Sequence, residues 1–158
     1  FSIIVQVSGR SGRYNNDGKV IVQTYHAHND AIKMATTHSL AEFYESELDI
    51  REQTQFPPYT RLVNLVVRGK NKEDCEKEID KVAHLATQAI EHLPQGEVEL
   101  VGVSECPIEK INNNWRFHLI LRSKELKKLL QVVTYIHRSH KVMRSTYLEI
   151  DVDPLHLL

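Results

Sequence analysis

The sequence predicts an α+β protein whose larger part is a ferredoxin-like plait, a four-stranded antiparallel sheet with two helices on one face. Three observations carry this prediction. Residues 61–152 follow the order β-α-β-β-α-β in their apolar patterns. Within that stretch, residues 73–93 hold apolar side chains at helical spacing, and residues 115–121 place them at alternate positions. The pair Pro57-Pro58 separates this part from the residues before it.

The elements before the prolines have weaker signals. Residues 1–13 are expected to form the end of a helix that runs into a glycine-punctuated turn. Residues 19–25 predict a buried strand because their centre reads Val-Ile-Val. Asn29 is suited to cap a short helix that continues to Ala35. This part is therefore expected to be an α/β remnant rather than a complete domain.

A second helix is expected to begin at the capping box Ser39-Leu-Ala-Glu42 and to continue to about Gln53. Its one apolar stripe would consist of Leu40, Phe43, Tyr44 and Leu48. Because two prolines cannot continue a helix, a boundary is predicted there. The predicted divisions are residues 1–28 as the remnant, 29–56 as connecting helices and 57–158 as the C-terminal domain.

The predicted plait begins with a strand over residues 61–68, and its first helix, over residues 73–93, ends before Pro94 and Gly96. Two further strands cover residues 98–103 and 115–121. The second of these puts Trp115, Phe117, Leu119 and Leu121 on one face and Arg116, His118 and Ile120 on the other. A helix follows with Leu126, Leu129, Leu130, Val133 and Ile136 in register, and residues 147–152 form the last strand.

Composition limits the class of protein. With 158 residues, 41% of them hydrophobic, the chain has material for one complete core and a partial second unit. The run that starts at Phe1 has neither the length of a membrane span nor the basic flank of a signal peptide, so a cytoplasmic protein is expected. Cys75 and Cys106 form no CxxC pair, which argues against a disulfide framework or a cysteine-rich zinc site in this stretch.

Residues 6–13 read Gln-Val-Ser-Gly-Arg-Ser-Gly-Arg, and QxxGRxGR is a phosphate-sensing arginine pattern of helicase motors. Arginine suits that role because its guanidinium is permanently charged and forks onto two phosphate oxygens. Such a pattern works with a P-loop and an acidic box, and no GxxxxGK[ST] occurs in the sequence. The chain is therefore expected to be the tail of a larger ATPase, with the end of a RecA-like helicase lobe at its start.

Several strings together resemble one family. Besides residues 6–13, they are the strand-like run 18–25, the helix Phe-Tyr-Glu-Ser-Glu-Leu at 43–48 with Arg51, the string Phe-Pro-Pro-Tyr at 56–59 and the closing Asp-Val-Asp-Pro at 151–154. In this order and over nearly the whole chain, they resemble the C-terminal part of the PriA family, the primosomal replication-restart DNA helicases also called primosomal protein N′. The loop at 112–114 departs from the family, because three asparagines stand where relatives often carry basic residues.

The resemblance implies an ATP-dependent superfamily 2 helicase that unwinds DNA 3′ to 5′ in replication restart and primosome assembly. It implies catalytic contacts to the γ-phosphate by Arg10 and Arg13, with Gln6 and Gly9 near the nucleotide. ATP and Mg²⁺ would be bound in the full-length protein, and zinc only in a module outside this stretch. The implied partners are forked or single-stranded DNA, the acidic tail of single-stranded-DNA-binding protein and other primosome proteins, with no membrane. Without the P-loop, this stretch alone is expected to be unable to hydrolyse ATP.

Two surfaces are candidates for binding DNA or a partner. The overall net charge is −1, yet the basic residues of 122–144 meet only Glu125. Within this run, Lys124, Lys127 and Lys128 begin the second helix of the plait, where an acidic tail could bind; a solvated helix face is the alternative. On the third strand, Arg116, His118 and Arg122 would line the open face of the sheet. That face could bind nucleic acid or pack on the motor lobe.

The remaining polar clusters favour structural roles. Asp151 and Asp153 share one side of the last strand without a third ligand, so acceptance of hydrogen bonds from an arginine such as Arg61 or Arg116 is expected rather than a metal site. The spaced histidine pairs also lack a third ligand, and no metal is predicted. A second functional class stays open, namely a free-standing ferredoxin-like module that binds nucleic acid or protein and carries the arginine pattern incidentally.

Overall fold

The computed structural model describes residues 1–11 and 19–157 and divides the chain into two compact units, Phe1–Thr54 and Gln55–Leu158. The first unit contains α1 (Ser2–Ser11), α2 (Asp30–Thr36) and α3 (Leu40–Gln53). The short helix expected after Asn29 is confirmed as α2. Its cap forms as predicted, since the Asn29 side chain accepts a hydrogen bond from the Ile32 amide at 3.3 Å.

Helix α3 starts where the capping box predicts, but the box itself does not form. The Ser39 side chain makes no capping hydrogen bond to the helix and lies instead 3.0 Å from the Thr37 hydroxyl. The predicted apolar stripe is not buried either, because Leu40, Tyr44 and Leu48 are all exposed. The Phe43 ring stacks on Phe1 with centroids 3.9 Å apart and also lies 5.9 Å from the ring of Tyr44.

The buried strand predicted over residues 19–25 is wrong. These residues form no strand, Ile21 is 83% exposed and Tyr25 is fully exposed. A strand requires a neighbour to complete its ladder of hydrogen bonds, and the described residues of the first unit contain no strand that could supply one. The Val-Ile-Val centre therefore has a local preference for a strand, but the described residues of this unit contain no sheet with which it could pair.

The second unit is the plait that the sequence predicts. It contains β1 (Arg61–Gly69), α4 (Lys72–Glu91), β2 (Glu99–Ile111), β3 (Asn114–Ser123), α5 (Leu126–Ser139) and β4 (Thr146–Val152). The strand order is β2-β3-β1-β4 with every neighbouring pair antiparallel, which is the order that two split βαβ halves produce. The α+β class and the ferredoxin-like arrangement are confirmed.

One face of the sheet and the two helices bury a single core. The inward residues of β1 and β3 pack against the apolar stripe of α4, and fully buried members include Val63, Leu65, Leu119, Leu121 and Val82. Each side chain of this size contributes about 1.5–3 kcal/mol when it leaves water. The core therefore fixes which residues of each strand point to the opposite, open face, among them Arg68 on β1 and Arg116 on β3.

Two elements depart in detail from their predictions. Strand β2 continues eight residues past the predicted Val103 to Ile111, through irregularities after Leu100 and Glu105. In α5 the sequence predicts that Leu130 faces the core, but Leu130 is exposed and Val132 is buried instead. The apolar face of the helix is therefore rotated from the predicted one at these positions. Among the helices that the structure describes, none has the length and apolar character needed to cross a membrane.

Candidate nucleic-acid and partner interface

The residues expected at the nucleotide lie on α1. Gln6 lies at the middle of this helix and Gly9 and Arg10 lie near its end; all three are exposed, and Arg13 lies outside the described residues. Arg10 occupies the last turn of the helix, and it forms no ion pair or hydrogen bond with the side chains that the structure describes. Gln6 and Arg10 are four residues apart and therefore share one face of the helix. A ligand could reach both from that face.

The cations near the start of α5 are largely paired within the domain. Arg122 contacts Glu99 with a separation of 2.7 Å between Nη2 and Oε2, and its Nη1 donates to the Gln55 carbonyl at 3.2 Å. Lys128 Nζ lies 2.7 Å from Glu97 Oε2, and the hydrogen bond that Lys128 donates to this carboxylate raises the pKa of Lys128. Two of the predicted binding cations are thus neutralised by carboxylates from the segment before and at the start of β2.

Lys124 and Lys127 remain exposed beside these pairs. Lys124 borders a hollow of about 220 Å³ that also involves Glu97, Ser123, Glu125 and Lys128. The Ser123 hydroxyl already donates to the Glu97 carbonyl at 2.6 Å and accepts from the Glu125 amide at 3.0 Å. The polar groups at this end of α5 thus satisfy one another, and Lys124 is the exposed lysine that lines the hollow.

The basic run of residues 122–144 does not form one patch. Helix α5 places its first and last residues about 20 Å apart, so Lys124 and Lys127 are separated from Arg138, Lys141 and Arg144 at the other end. The loop at that other end is held by Glu78 of α4, which is fully buried. Glu78 Oε1 accepts from His140 Nε2 at 3.0 Å, the Met143 amide at 2.8 Å and the Thr146 hydroxyl at 3.3 Å.

On the open face of the sheet, the structure corrects one predicted contact. Strand β3 presents Arg116, His118 and Arg122 on that face, as its alternation predicts, but the His118 side chain is only 6% exposed. Its Nε2 lies 3.0 Å from the Ser104 hydroxyl, and burial, reinforced by the charge of Arg116, lowers the pKa of His118. A buried neutral imidazole cannot serve as a surface contact, so Arg116 and Arg122 are the members of this row that reach the surface. Arg116 Nη1 donates to the Ile108 carbonyl at 3.4 Å.

Sequence reasoning missed the neighbours of Arg116. Arg68 of β1 stands directly opposite it across the strand pair, and both line a shallow hollow of about 240 Å³ with Asn112, Asn114 and Glu149. A strand-by-strand description of the sequence cannot find this group, because its members come from three strands and a turn. The signal available in the sequence was Arg68, a charged residue that follows Val66 and Val67 near the end of β1.

Of the two aspartates near the end of the last strand, Asp153 has a structural contact. Arg61 Nε donates to Asp153 Oδ1 at 2.8 Å, and a second bond joins Arg61 Nη2 to Asp153 Oδ2. This forked contact lowers the pKa of Asp153, and the Asp153 amide donates to the Leu62 carbonyl at 2.9 Å. The expectation of an arginine partner is confirmed for Asp153. Within residues 1–11 and 19–157, no three histidine, cysteine or acidic side chains converge as a metal site would require.

Comparison with known proteins identifies relatives over the full length of the chain. Residues 52–155 match the family model described as the primosomal protein N C-terminal domain. The chain is 33% identical over 158 residues to the replication restart protein PriA of Borreliella burgdorferi, with 100% of this chain and 23% of the relative covered. The corresponding protein of Synechocystis sp. is 35% identical, with 99% and 18% covered. That of Bacillus subtilis is 26% identical, with 100% and 20% covered. The chain thus spans about a fifth of the length of these relatives.

Proposed function

The chain belongs to the primosomal protein N C-terminal domain family, and from this premise we propose that it is the C-terminal part of an ATP-dependent DNA helicase of superfamily 2. The full-length protein would unwind DNA 3′ to 5′ in replication restart and primosome assembly in the cytoplasm. The observation that carries the proposal is the match of the whole chain to relatives named replication restart protein PriA. The first unit would complete the motor, and the second would bind DNA or a partner.

The motor role rests on α1. Arg10, with Arg13 beyond it in the sequence, would contact the γ-phosphate of ATP, and Gln6 and Gly9 would lie near the nucleotide. Support comes from the exposed Arg10 guanidinium, which is not paired with any side chain that the structure describes. A permanent cation stabilises the charge that develops on a transferring phosphoryl group. ATP and Mg²⁺ would be held chiefly by the P-loop and acidic box of the full-length protein, so this chain alone would not hydrolyse ATP.

The motor role is tested in the full-length protein by Arg10→Gln. We expect a fall of about 10³-fold in DNA-stimulated kcat for ATP hydrolysis, with a small change in KM, because an arginine of this type acts in the transition state. Lys33→Gln is the matched control, since Lys33 is an exposed cation of the same unit that pairs with Asp30 of its own helix. An Arg10→Gln enzyme with wild-type turnover and unwinding would contradict the assignment.

The docking role rests on the second unit. The open sheet face, on which Arg116 and Arg122 reach the surface, is proposed as the surface that binds forked or single-stranded DNA. Binding of a fluorescein-labelled oligonucleotide to this chain, titrated by anisotropy at several salt concentrations, tests the role directly. Affinity that falls steeply with salt is expected. A chain that binds neither single-stranded nor forked DNA at 50 mM salt would overturn it.

A second candidate partner is the acidic tail of single-stranded-DNA-binding protein, which the exposed Lys124 and Lys127 favour. Reversal of Lys124, Lys127 and Lys128 to glutamate should weaken binding of an acidic tail peptide at least tenfold. Equal affinity in the variant would exclude this site.

The other functional class, a free-standing ferredoxin-like module, is tested by the sequence of the parent gene. A P-loop and an acidic box encoded before Phe1 would support the motor, and their absence would support the module.

A further inference from the structure

The sheet of the second unit ends in two edges of different character. Among the strands that the structure describes, β2 and β4 each pair with one neighbour, so each presents a row of backbone groups outward. Strand β2 is interrupted by irregularities after Leu100 and Glu105 and contains Pro107, features that oppose the addition of another strand. Strand β4 pairs with β1 in unbroken register from Thr146 to Val152 and contains no proline. The edge of β4 is therefore the one to which a strand can be added.

The register of β4 with β1 determines which backbone groups point outward. The Asp153 amide donates to the Leu62 carbonyl at 2.9 Å, so the backbone of Asp153 is turned toward β1. In an antiparallel pair this direction alternates from one residue to the next. Residues 147, 149 and 151 are therefore turned toward β1 as well, whereas Leu148, Ile150 and Val152 direct their N–H and C=O groups away from it. These outward donors and acceptors have the spacing that a further strand requires.

The side chains along this edge differ between the two sides of the sheet. Ile150 and Val152 lie on the side that carries the helices, yet they are 37% and 39% exposed. Glu149 and Asp151 lie on the open side. Glu149 pairs with Arg68, whereas Asp151 is exposed and pairs with no cation that the structure describes. The edge therefore offers apolar contacts on one side and an available carboxylate on the other.

The carboxylates decide which kind of strand fits this edge. Two copies of β4 paired about a twofold axis at Ile150 would place Glu149 of one copy opposite Asp151 of the other, and like charges directly opposite destabilise a sheet. The phosphates of a nucleic acid would be repelled by the same charges. An extended peptide with basic residues on one face instead gains an ion pair at Asp151 and covers the apolar side chains with its other face. Charge complementarity thus favours a basic strand from another protein.

We propose that the edge of β4 binds an extended, basic segment of a partner protein as an added antiparallel strand. Apolar residues of that segment lie beside Ile150 and Val152 and exchange hydrogen bonds with the outward backbone groups of β4. Lysine or arginine residues alternate with them and lie on the open side of the sheet, beside Asp151. The assignment does not rest on the docking of DNA proposed for the open face, so either can fail without the other.

The test uses the whole 158-residue chain and a fluorescein-labelled peptide of seven residues in which lysine alternates with valine, titrated by anisotropy. Methylation of the valine backbone nitrogens should weaken binding at least tenfold, because these nitrogens donate to β4. Methylation of the lysine backbone nitrogens should change affinity less than twofold, since their N–H groups point away from β4. Equal effects of the two methylations, or no binding at 1 mM peptide, would overturn the proposal.

Variants of the chain locate the site. Asp151→Lys should weaken peptide binding about fivefold, because it replaces an attraction across the strand pair with a repulsion. Glu91→Lys is the matched control, since it makes the same change of charge at an exposed position of α4 and should change affinity less than twofold. Thermal unfolding followed by the fluorescence of Trp115 verifies that each variant is folded. Wild-type affinity in Asp151→Lys, or equal weakening by the two variants, would show that the site is wrong.

Hydrogen exchange identifies the occupant of the edge. At saturating peptide, the amides of Leu148, Ile150 and Val152 should exchange at least fivefold more slowly, while those of residues 147, 149 and 151 should not change. Without peptide, the chain should remain monomeric at 100 µM by sedimentation equilibrium, and the three outward amides should exchange rapidly in the full-length protein. A dimer that protects these amides would assign the edge to a second copy. Protection in the full-length protein alone would assign it to the motor, and either result would overturn the proposal.

Discussion

Replacement of Glu78 tests how the second unit holds the loop between α5 and β4, which carries Lys141 and Arg144. Glu78 is a fully buried carboxylate on α4. It accepts hydrogen bonds from His140 and Met143 in the connection from α5 to β4 and from Thr146 at the start of β4. The Thr146 hydroxyl has a second acceptor in the Met143 carbonyl at 3.3 Å. Among the residues that the structure describes, the Met143 amide and His140 Nε2 contact no second acceptor, so they depend on this carboxylate.

Glu78→Ala therefore leaves two buried donors without their acceptor. Each stranded donor costs about 1–3 kcal/mol, and water entering from the groove beside His140 recovers part of this. The expected loss is about 3–5 kcal/mol, against about 5–15 kcal/mol for the stability of a domain of this size. At about 4 °C per kcal/mol or more, the midpoint of thermal unfolding should fall by at least ~12 °C. Glu78→Gln keeps the Oε1 acceptor and should lose only about 1–2 kcal/mol.

The assay uses Trp115, the single tryptophan of the chain, which packs against the core of the second unit and so reports the unfolding of that unit alone. Urea titration gives the free energy of unfolding for each variant. Lys81→Ala is the control: the side chain of Lys81 is exposed and its amine lies 3.8 Å from the buried Glu78 Oε2, beyond hydrogen-bond distance, so its removal should cost less than about 0.5 kcal/mol. Glu78→Ala within 1 kcal/mol of wild type would refute the role of Glu78 as the anchor of this loop.

Three further predictions concern the same domain. Gly69→Ala should lose about 1–3 kcal/mol by urea titration, because a Cβ there would meet the Ser145 carbonyl oxygen at 2.7 Å; unchanged stability would show that the loop yields. His118 has a pKa below its ordinary value of 6.5, so its neutral form is favoured in the fold and stability should decline as pH falls below about 6.5; His118→Gln should flatten the profile between pH 7 and 5. Asp153 has a pKa below its ordinary value of 3.8, so the Arg61 contact stabilises the fold at neutral pH and is lost in acid; Asp153→Asn should unfold at lower urea at pH 7, with the difference vanishing near pH 2.

The plait could be predicted from the sequence because its elements carry their own periodicity. Helix α4 repeats apolar residues at helical spacing and β3 alternates, so local pattern and tertiary burial agree. Residues 19–25 fail for the opposite reason. Their β preference is local, whereas a strand exists only with a neighbour, and no neighbouring strand occurs in the described part of the first unit. In α5, Val132 and Leu130 are two positions apart, and the spacing alone does not decide which of them faces the sheet.

The candidate sites were less accessible to sequence reasoning, since their electrostatics depends on cross-strand contacts. The basic residues near the start of α5 look unopposed along the chain because Glu97 and Glu99 lie more than 20 residues earlier. Only the register of β2 with β3 brings Glu99 opposite Arg122. The same pairing logic produces the opposite result at Arg68 and Arg116, where the partner across the strand is another cation. Distance along the sequence thus hides both a cation paired with a carboxylate, Arg122 with Glu99, and two cations opposite each other, Arg68 and Arg116.

A net charge near zero therefore gives no measure of whether this domain can hold an anion. At the start of α5, Arg122 and Lys128 each have a carboxylate within 3 Å, and a phosphate arriving there would have to displace it. At the hairpin end, Arg68 pairs with Glu149, and Arg116 donates to the Ile108 carbonyl at 3.4 Å, so both guanidinium groups are engaged there as well. An anion that binds at either end must compete with a contact of the fold and also bears the desolvation cost of the arginines. The pairing that the sheet register produces, rather than the net charge, therefore decides where this domain can hold an anion.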